Sequence, residues 1–455
     1  MATTEGGEFA KRYPALARLP FIMDSRPGYH RLGNAYIAER GLGLWGPEIG
    51  SSGHQGAIPT AQTMRNYAEW LANFLEWAEV RSVSIFDCDY AGDVAGRYQR
   101  EMLSGGWSQT GRGLSPTTVN LRVQQACDFL TWLVDRKKRG PFHIPYAERT
   151  YSLGSAFSPG GQYGRKIRVR KGKVRPRTVA LCMPKDVEVH GWLERIRDKF
   201  GATCALMCET VLLTGLRREE VVCLRTDTLP ENQAHWHVAN PLAPPNQQQV
   251  RITVRFGTKG ASYGTSHGDK IGPERSILIP LILAEKWHVY RNDSRHRAFA
   301  QWMTGAKGPA RWTRAAQSVH LFLREADGAR FSGTDFYAVW TGVTPPTSKW
   351  SPHQGRHWWA CSTLWRALKK HEFFWREIER HKSTNLFSDE TTAALIDSTA
   401  LSIIRLQIQP QLGHASDSTT IVYLRWVIDM ISVPLSIDIY ANDAIDYLGD
   451  GSVSG

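Results

Sequence analysis

The stretch Leu-Gly-His-Ala-Ser-Asp-Ser-Thr-Thr-Ile-Val-Tyr, residues 412–423, places a tyrosine nine residues after a histidine. Residues 416–420 are typical of a helix start, because Ser, Asp and Thr side chains accept hydrogen bonds from the free N–H groups of a first turn. Tyr423 would lie on that helix. A tyrosine among apolar neighbours belongs to a hydrophobic core more often than to a reactive site. The interpretation of Tyr423 therefore depends on the polar residues upstream.

The composition of the 455-residue chain favours a globular protein with a polyanionic partner. Lys and Arg total 56 against 43 Asp and Glu, a net charge of +13. Such a surplus strengthens binding to nucleic acid through counterion release, although an ordinary basic protein is the alternative. No run of eighteen apolar residues and no signal-like N-terminus appear, so neither a membrane span nor secretion is expected. The 7 scattered cysteines indicate free thiols in a reducing cytoplasm.

Five segments are predicted along the chain: an irregular arm, a helical bundle, a basic linker, a larger domain and a tail. Their predicted boundaries are 1–57, 58–145, 146–178, 179–430 and 431–455. In the bundle, Met64, Leu71 and Phe74 belong to one apolar stripe at helical spacing. A second bundle helix is predicted after Ser115, a suitable N-cap, with Pro116 in its first turn.

The linker carries eight basic residues among the thirteen of 165–177 and no acidic residue. These are Arg165, Lys166, Arg168, Arg170, Lys171, Lys173, Arg175 and Arg177. A run of like charges usually marks a solvated surface, but it also suits contact with a DNA backbone. We predict DNA contact for this segment.

The larger domain is predicted to be mostly helical with one β-hairpin. A buried helix stops at Gly215, and Arg217 lies at the junction with a new helix. Residues 250–256 alternate strictly and predict a strand, with residues 275–279 as its return. Lys259 follows the first strand, and Lys270 lies later in the same loop.

A histidine and an arginine lie three residues apart, at His353 and Arg356. Pro352 favours a helix start, so both side chains would share one face of a first helical turn. Free backbone N–H groups at that position also favour an anion. A surface pair is the alternative for this motif taken alone.

Taken in order, these motifs resemble the tyrosine recombinases, or phage integrase family. Thr214-Gly215-Leu216-Arg217, a hairpin lysine, His353-Gln354-Gly355-Arg356 and Leu412-Gly413-His414 with Tyr423 match its signature over about residues 179–430. Residues 58–145 are similar to the family's SAM-like core-binding domain. The resemblance implies a C-shaped DNA clamp made of these two domains.

The resemblance also assigns roles to the site residues. Tyr423 would be the nucleophile that forms a 3′-phosphotyrosyl bond. Arg217 and Arg356 would hold the non-bridging oxygens, and Lys259, with Lys270 as its rival, would protonate the leaving oxygen. His353 would assist proton transfer at Tyr423. His414 would hydrogen-bond the phosphate, and Glu220 would support Arg217.

Elementary chemistry agrees with these roles. A tyrosine with an ordinary pKa near 10 needs a cationic, partly dry pocket to act as a nucleophile at neutral pH. Planar guanidinium groups match the charge that develops on phosphoryl oxygens, and an alkoxide leaving group needs a general acid. We expect no metal and no other cofactor, because the phosphotyrosyl bond would conserve the energy for religation.

The chain departs from the family pattern in three places. Gly355 stands where the family usually has leucine. His414 follows Arg356 by 58 residues, over twice the usual span, so residues around 366–400 are predicted to be an insertion. The hairpin loop is also longer than usual, which leaves the choice between Lys259 and Lys270 open.

The expected function is site-specific recombination, with integration or excision of a phage or other mobile element. The resemblance implies double-stranded DNA with inverted half-sites, a homodimer on each site and a homotetramer in the synapse. A directionality factor or a host DNA-bending protein would assist. The expected location is a prokaryotic cytoplasm, at the nucleoid. A type IB topoisomerase and a catalytically silent DNA-binding protein are the alternatives.

Overall fold

The computed structural model divides the chain into two units, Met1–Val179 and Ala180–Gly455. The structure describes residues 8–25, 28–47, 58–151, 165–175, 181–257, 269, 271–372, 376, 399–414, 422–423, 426 and 430. Within these ranges no helix combines the length and apolar character needed to cross a bilayer.

The first unit is helical. Its helices are α1 (Glu8–Arg12), α2 (Pro14–Ala17), α3 (Arg31–Gly41), α4 (Ala61–Val80), α5 (Gln99–Ser104) and α6 (Pro116–Asp135), and a π-helical segment, Tyr90–Tyr98, continues into α5. The side chains of Thr60 and Ser115 accept hydrogen bonds from the first turns of α4 and α6. The two helices predicted for the bundle are therefore confirmed, and their apolar stripes are buried against each other.

The N-terminal segment differs from the irregular arm that the sequence suggests. Helix α3 packs on α4 and α6, and Tyr36 is fully buried, with its hydroxyl accepting a 2.7 Å hydrogen bond from Gln125. The buried face of α3 includes Gly33 and Asn34, whose amide bonds both backbone groups of Ile22. A helix that buries glycine and asparagine shows no hydrophobic stripe, which is why the pattern missed it.

The predicted linker contains an antiparallel hairpin within the first unit. Strand β1 (Tyr146–Tyr151) pairs with β2 (Arg165–Arg170), and Tyr146 lies opposite Arg170. The basic run thus begins as a strand. Ile167 and Val169 alternate with cations there, a period-two pattern that the charge run obscured.

The second unit contains the predicted hairpin and the helices from α7 onward. Its elements are α7 (Asp186–Thr214), α8 (Arg218–Val222), β3 (Gln249–Phe256), β4 (Ile271–Pro280), α9 (Leu281–Asn292), α10 (Ser294–Met303), α11 (Pro309–Gln317), α12 (Gly333–Thr341), α13 (Pro352–Lys369) and α14 (Gln409–Leu412). The mostly helical fold with a small antiparallel hairpin is confirmed. Helix α7 bends at Gly201, where the backbone leaves helical geometry.

Two hydrophobic clusters organise the second unit. The larger one joins α7, the β3–β4 hairpin, α9 and α12, with Trp192 and Trp340 at its centre. The smaller one joins α13 to residues 399–412 and to Tyr423 and Trp426. Of the predicted insertion, α13 takes in residues 366–369, whereas 373–375 and 377–398 lie outside the described residues.

Candidate active site

The Thr-Gly-Leu-Arg motif forms the turn between α7 and α8. Gly215 ends α7 with φ +67°, and a Cβ there would lie 2.7 Å from a ring carbon of Trp359. Only glycine combines that backbone with so close an approach. Arg217 follows as the residue that precedes α8, so the turn fixes its backbone at the edge of the core.

Glu220 is the buried centre of an ion-pair network. Its carboxylate accepts hydrogen bonds from the Arg217 backbone N–H at 2.8 Å and from the Arg217 guanidinium at 2.9 Å. Arg275 of β4 binds both oxygens at 2.7 Å in a two-point contact. Glu220 is fully buried. Planar guanidinium–carboxylate pairing of this kind fixes both partners in orientation.

Arg356 lies one turn into α13 and is almost wholly buried. Its guanidinium donates to the carbonyl oxygens of Gly215, at 2.5 Å, and of Leu412. It therefore connects the first and last motifs of the set. Burial, and next the charge of Arg217, lower the pKa of Arg356 to about 9, so the group stays cationic at neutral pH.

Gly355 departs from the family pattern for a visible reason. A Cβ at this position would lie 2.5 Å from the indole of Trp340, which is fully buried. Trp340 therefore fills the volume that a larger side chain at position 355 would occupy. The first turn of α13 is still helical. Ser351 caps that turn by accepting from the Gln354 backbone N–H, which confirms the predicted helix start.

His414 contacts Arg356 directly. The Arg356 Nη2 atom lies 3.2 Å from His414 Nε2. Because a guanidinium can only donate, Nε2 accepts and the ring hydrogen belongs on Nδ1. Nδ1 is buried and has no acceptor among the described residues. Burial, followed by the charge of Arg356, lowers the pKa of His414 to about 4. The ring is thus a neutral donor that an anionic oxygen would satisfy.

Gly413 and Gln411 hold His414 against the hairpin. Gly413 has φ +61°, and a Cβ there would lie 2.9 Å from Arg275 Cδ. The Gln411 amide bonds Leu278 through both its oxygen, at 3.0 Å, and its nitrogen, at 2.8 Å. The same nitrogen reaches the Thr214 carbonyl at 3.1 Å. The turn after α14 is therefore attached to β4 and to the end of α7.

Tyr423 is fully buried in the smaller cluster, but its hydroxyl has a polar partner. The oxygen lies 3.0 Å from His357 Nδ1. Burial raises the pKa of Tyr423, and the nearby charge of Arg356 opposes that rise without cancelling it. Tyr423 is therefore protonated at neutral pH in this state.

His353 lies one helical turn before His357 on α13. The two rings meet edge to face with centroids 4.4 Å apart, and the His357 centroid lies 5.6 Å from that of Tyr423. Burial, and next the charge of Arg356, lower the pKa of His353. The structure thus records the contact with the Tyr423 hydroxyl from His357, whereas the sequence analysis placed His353 there.

The structure brings six of the predicted residues together: Arg217, Glu220, His353, Arg356, His414 and Tyr423. Lys259, Lys270 and Arg177 lie outside the described residues. Sequence reasoning missed Arg275, Gln411 and His357. His357 carried a usable signal, because it follows Arg356 directly and lies four residues after His353 on the same helical face.

The basic residues that were predicted to contact DNA differ in how exposed they are. Arg168, Lys171, Lys173 and Arg175 are exposed, and the backbones of Arg165 and Lys166 belong to β2. Arg170 differs from the expectation, because its side chain is buried and its guanidinium bonds the Tyr90 hydroxyl and, at 3.5 Å, the Gln99 oxygen. A cation enclosed in this way is held by its own unit, whereas the sequence analysis predicted a DNA contact for it.

No family model and no curated protein matches this sequence. The chain is similar to recombinases of known structure. A XerH site-specific recombinase bound to palindromic difH substrate shares 15% identity, with 83% of this chain and 80% of that chain covered and a TM-score of 0.45. The Tn1549 transposon integrase with circular intermediate DNA shares 13%, with 86% and 94% covered and a TM-score of 0.46. XerA recombinase shares 13%, with 88% and 98% covered and a TM-score of 0.30. Since these scores are low, any assignment of function rests on the site itself.

Proposed function

We propose that the chain is a site-specific DNA recombinase of the tyrosine recombinase family. It would cut and rejoin DNA through a 3′-phosphotyrosyl intermediate and serve the integration or excision of a phage or other mobile element. The observation that carries this proposal is the convergence of Arg217, Arg356, His414 and Tyr423 in one site. These residues come from three motifs spread over about two hundred residues of sequence, and a hydroxyl, an imidazole and two guanidinium groups meet there.

The charge of the site suits a phosphodiester. Arg217, Arg275 and Arg356 face a single carboxylate, Glu220, within this network. The guanidinium groups of Arg275 and Arg356 are largely buried, where the interaction of a charge with an arriving anion is stronger than in water. His414 would add its Nδ1–H. These donors would hold the non-bridging oxygens and stabilise the charge that develops on them as Tyr423 attacks.

The leaving 5′-oxygen needs a proton, and we propose that a lysine of the β3–β4 loop supplies it. Lys259 is the first candidate and Lys270 the second. Both follow from the sequence pattern alone.

The proposed partner is double-stranded DNA. Inverted half-sites would bind a homodimer, and two such sites would meet in a homotetrameric synapse, with a directionality factor or a host DNA-bending protein as accessory. The arrangement of the two units on DNA and the prokaryotic, nucleoid-associated location stay predictions.

Exposed cations after β2 should contribute to DNA affinity without determining sequence specificity. Replacing Lys171, Lys173 and Arg175 together with glutamine should reduce the slope of log K against log salt concentration by about 0.9 per lost phosphate contact. Binding measured at several salt concentrations checks this. The single substitution Arg168→Gln is the comparison, because it removes one exposed cation. It should reduce the slope by about 0.9, the value for one lost phosphate contact. An unchanged slope in the triple variant would remove this segment from the interface.

A nicked suicide substrate that carries an end of the element tests the function itself. Strand cleavage releases a short fragment, so religation is blocked and the covalent adduct accumulates. We expect an adduct at the 3′ side of the break and a free 5′-hydroxyl, in the presence of EDTA. Absence of an adduct on every cognate end favours the silent DNA-binding protein. Relaxation of plasmids that lack any specific site favours the topoisomerase.

A further inference from the structure

The Tyr423 hydroxyl has a partner that the family resemblance did not assign. His357 Nδ1 lies 3.0 Å from that oxygen, while the tyrosine ring is enclosed by the cluster of α13 and residues 399–412. In such an apolar setting a hydroxyl needs a polar partner, and among the described residues His357 supplies it.

The position of His357 follows from the helix. His353, Arg356 and His357 lie at i, i+3 and i+4 on α13, so the three side chains share one face. Arg356 is fixed through the carbonyls of Gly215 and Leu412. His357 is thereby held beside the proposed phosphate site, and the ring of His353 lies against the His357 ring.

Both members of the pair are neutral before DNA binds. Burial, and next the charge of His353, lower the pKa of His357 to about 4, while burial raises the pKa of Tyr423. A neutral imidazole with hydrogen on Nε2 accepts the phenolic hydrogen bond through Nδ1. A phosphodiester anion entering the site would favour the protonated ring and so strengthen it as a base.

We propose that His357 is the general base that takes the Tyr423 proton during strand cleavage. As the phenolic oxygen bonds to phosphorus, its proton passes to Nδ1, and the bond from phosphorus to the 5′-oxygen breaks. The 5′-oxygen receives its proton from the general acid. In religation the 5′-hydroxyl attacks, the bond from phosphorus to Tyr423 breaks, and Nδ1 returns its proton to the phenolic oxygen. This inference rests on the proposed function.

The chemistry can be separated from a packing role with two variants. His357→Asn keeps an amide group near the Nδ1 position but cannot accept a proton, and His357→Ala removes the ring. His296→Asn, at an exposed position on α10, is the matched control. Single-turnover adduct formation on the nicked substrate is the readout, and thermal unfolding and DNA binding report whether each variant is folded.

We expect both His357 variants to form the adduct on the order of 10²–10⁴-fold more slowly than wild type, the range for losing a general base. Free imidazole should restore part of the His357→Ala rate. A substrate with sulfur in place of the bridging 5′-oxygen needs no general acid, so it should not restore either variant.

Two results would overturn the inference while leaving the proposed function intact. One is a His357→Asn rate within about tenfold of wild type, since general-base loss costs more. The other is full recovery on the sulfur substrate, which would place His357 on the leaving-group side. A wild type that forms no adduct defeats the proposed function itself.

Discussion

Replacing Tyr423 with phenylalanine should abolish the covalent adduct completely, while the protein stays folded and binds DNA. Phenylalanine fills the same enclosed volume but has no nucleophilic oxygen, and the side chains of Arg217, Lys259, His353, Arg356 and His414 carry none. The lost hydrogen bond to His357 should cost about 1 kcal/mol of unfolding free energy. Denaturing electrophoresis of the nicked-substrate reaction measures the adduct, and a gel shift measures binding.

Tyr440→Phe is the matched control for this result. Tyr440 is a second tyrosine, in the predicted tail of residues 431–455, and it has no Leu-Gly-His motif nine residues upstream. We expect this variant to form the adduct at the wild-type rate. An adduct with Tyr423→Phe, or its loss with Tyr440→Phe, would show that the nucleophile has been wrongly assigned.

The enclosed tyrosine explains why such a site would be inactive without DNA. A phenol with a raised pKa next to a neutral imidazole is not ionised at neutral pH. It is therefore a poor nucleophile toward electrophiles in solution. Attack requires a bound phosphodiester, which supplies both the electrophilic phosphorus and the negative charge that favours a protonated imidazole. In the proposed mechanism, the cations of Arg217 and Arg356 would provide the binding energy for that step.

Local signals in the sequence were sufficient for the parts of the fold that local physics determines. Ser115 caps the helix it was expected to cap, Pro352 lies in the first turn of the helix it was expected to start, and strict alternation located β3. The motif order also predicted which side chains meet. Each of these features depends on neighbours within a few residues or on a recognised pattern.

Features that depend on distant partners escaped the sequence analysis. Arg170 was predicted to contact DNA, but its side chain is buried and bonds Tyr90, which lies eighty residues earlier. Arg275 was one arginine among several on a hairpin until its carboxylate partner, 55 residues away, was seen. A charged side chain is buried only where a partner compensates it, and a single sequence does not show that partner.

Glu220→Gln should be the most destabilising single change in the site. Glu220 is fully buried, and its carboxylate is shared by Arg275, in a two-point contact, and Arg217. Removing the charge leaves a largely buried guanidinium without compensation, which costs about 3–5 kcal/mol. Denaturant unfolding of the two proteins measures the difference.

Glu219→Gln is the matched control, because Glu219 is 45% exposed and pairs only with the exposed Arg218 among the described residues. Its cost should stay below about 1 kcal/mol.

The pH dependence of that difference identifies its cause. Burial alone would raise the pKa of Glu220, but the hydrogen bonds and charge of Arg275 outweigh it, so the pKa lies below its ordinary 4.5. A carboxylate with a lowered folded-state pKa stabilises fully above its unfolded pKa, and that stabilisation is lost as the pH falls through the folded value. The gap between wild type and Glu220→Gln should therefore be constant near neutrality and narrow below pH 4.5. A gap that does not change with pH would assign the loss to packing instead of charge. In that case Arg217 would need another support to hold a phosphate.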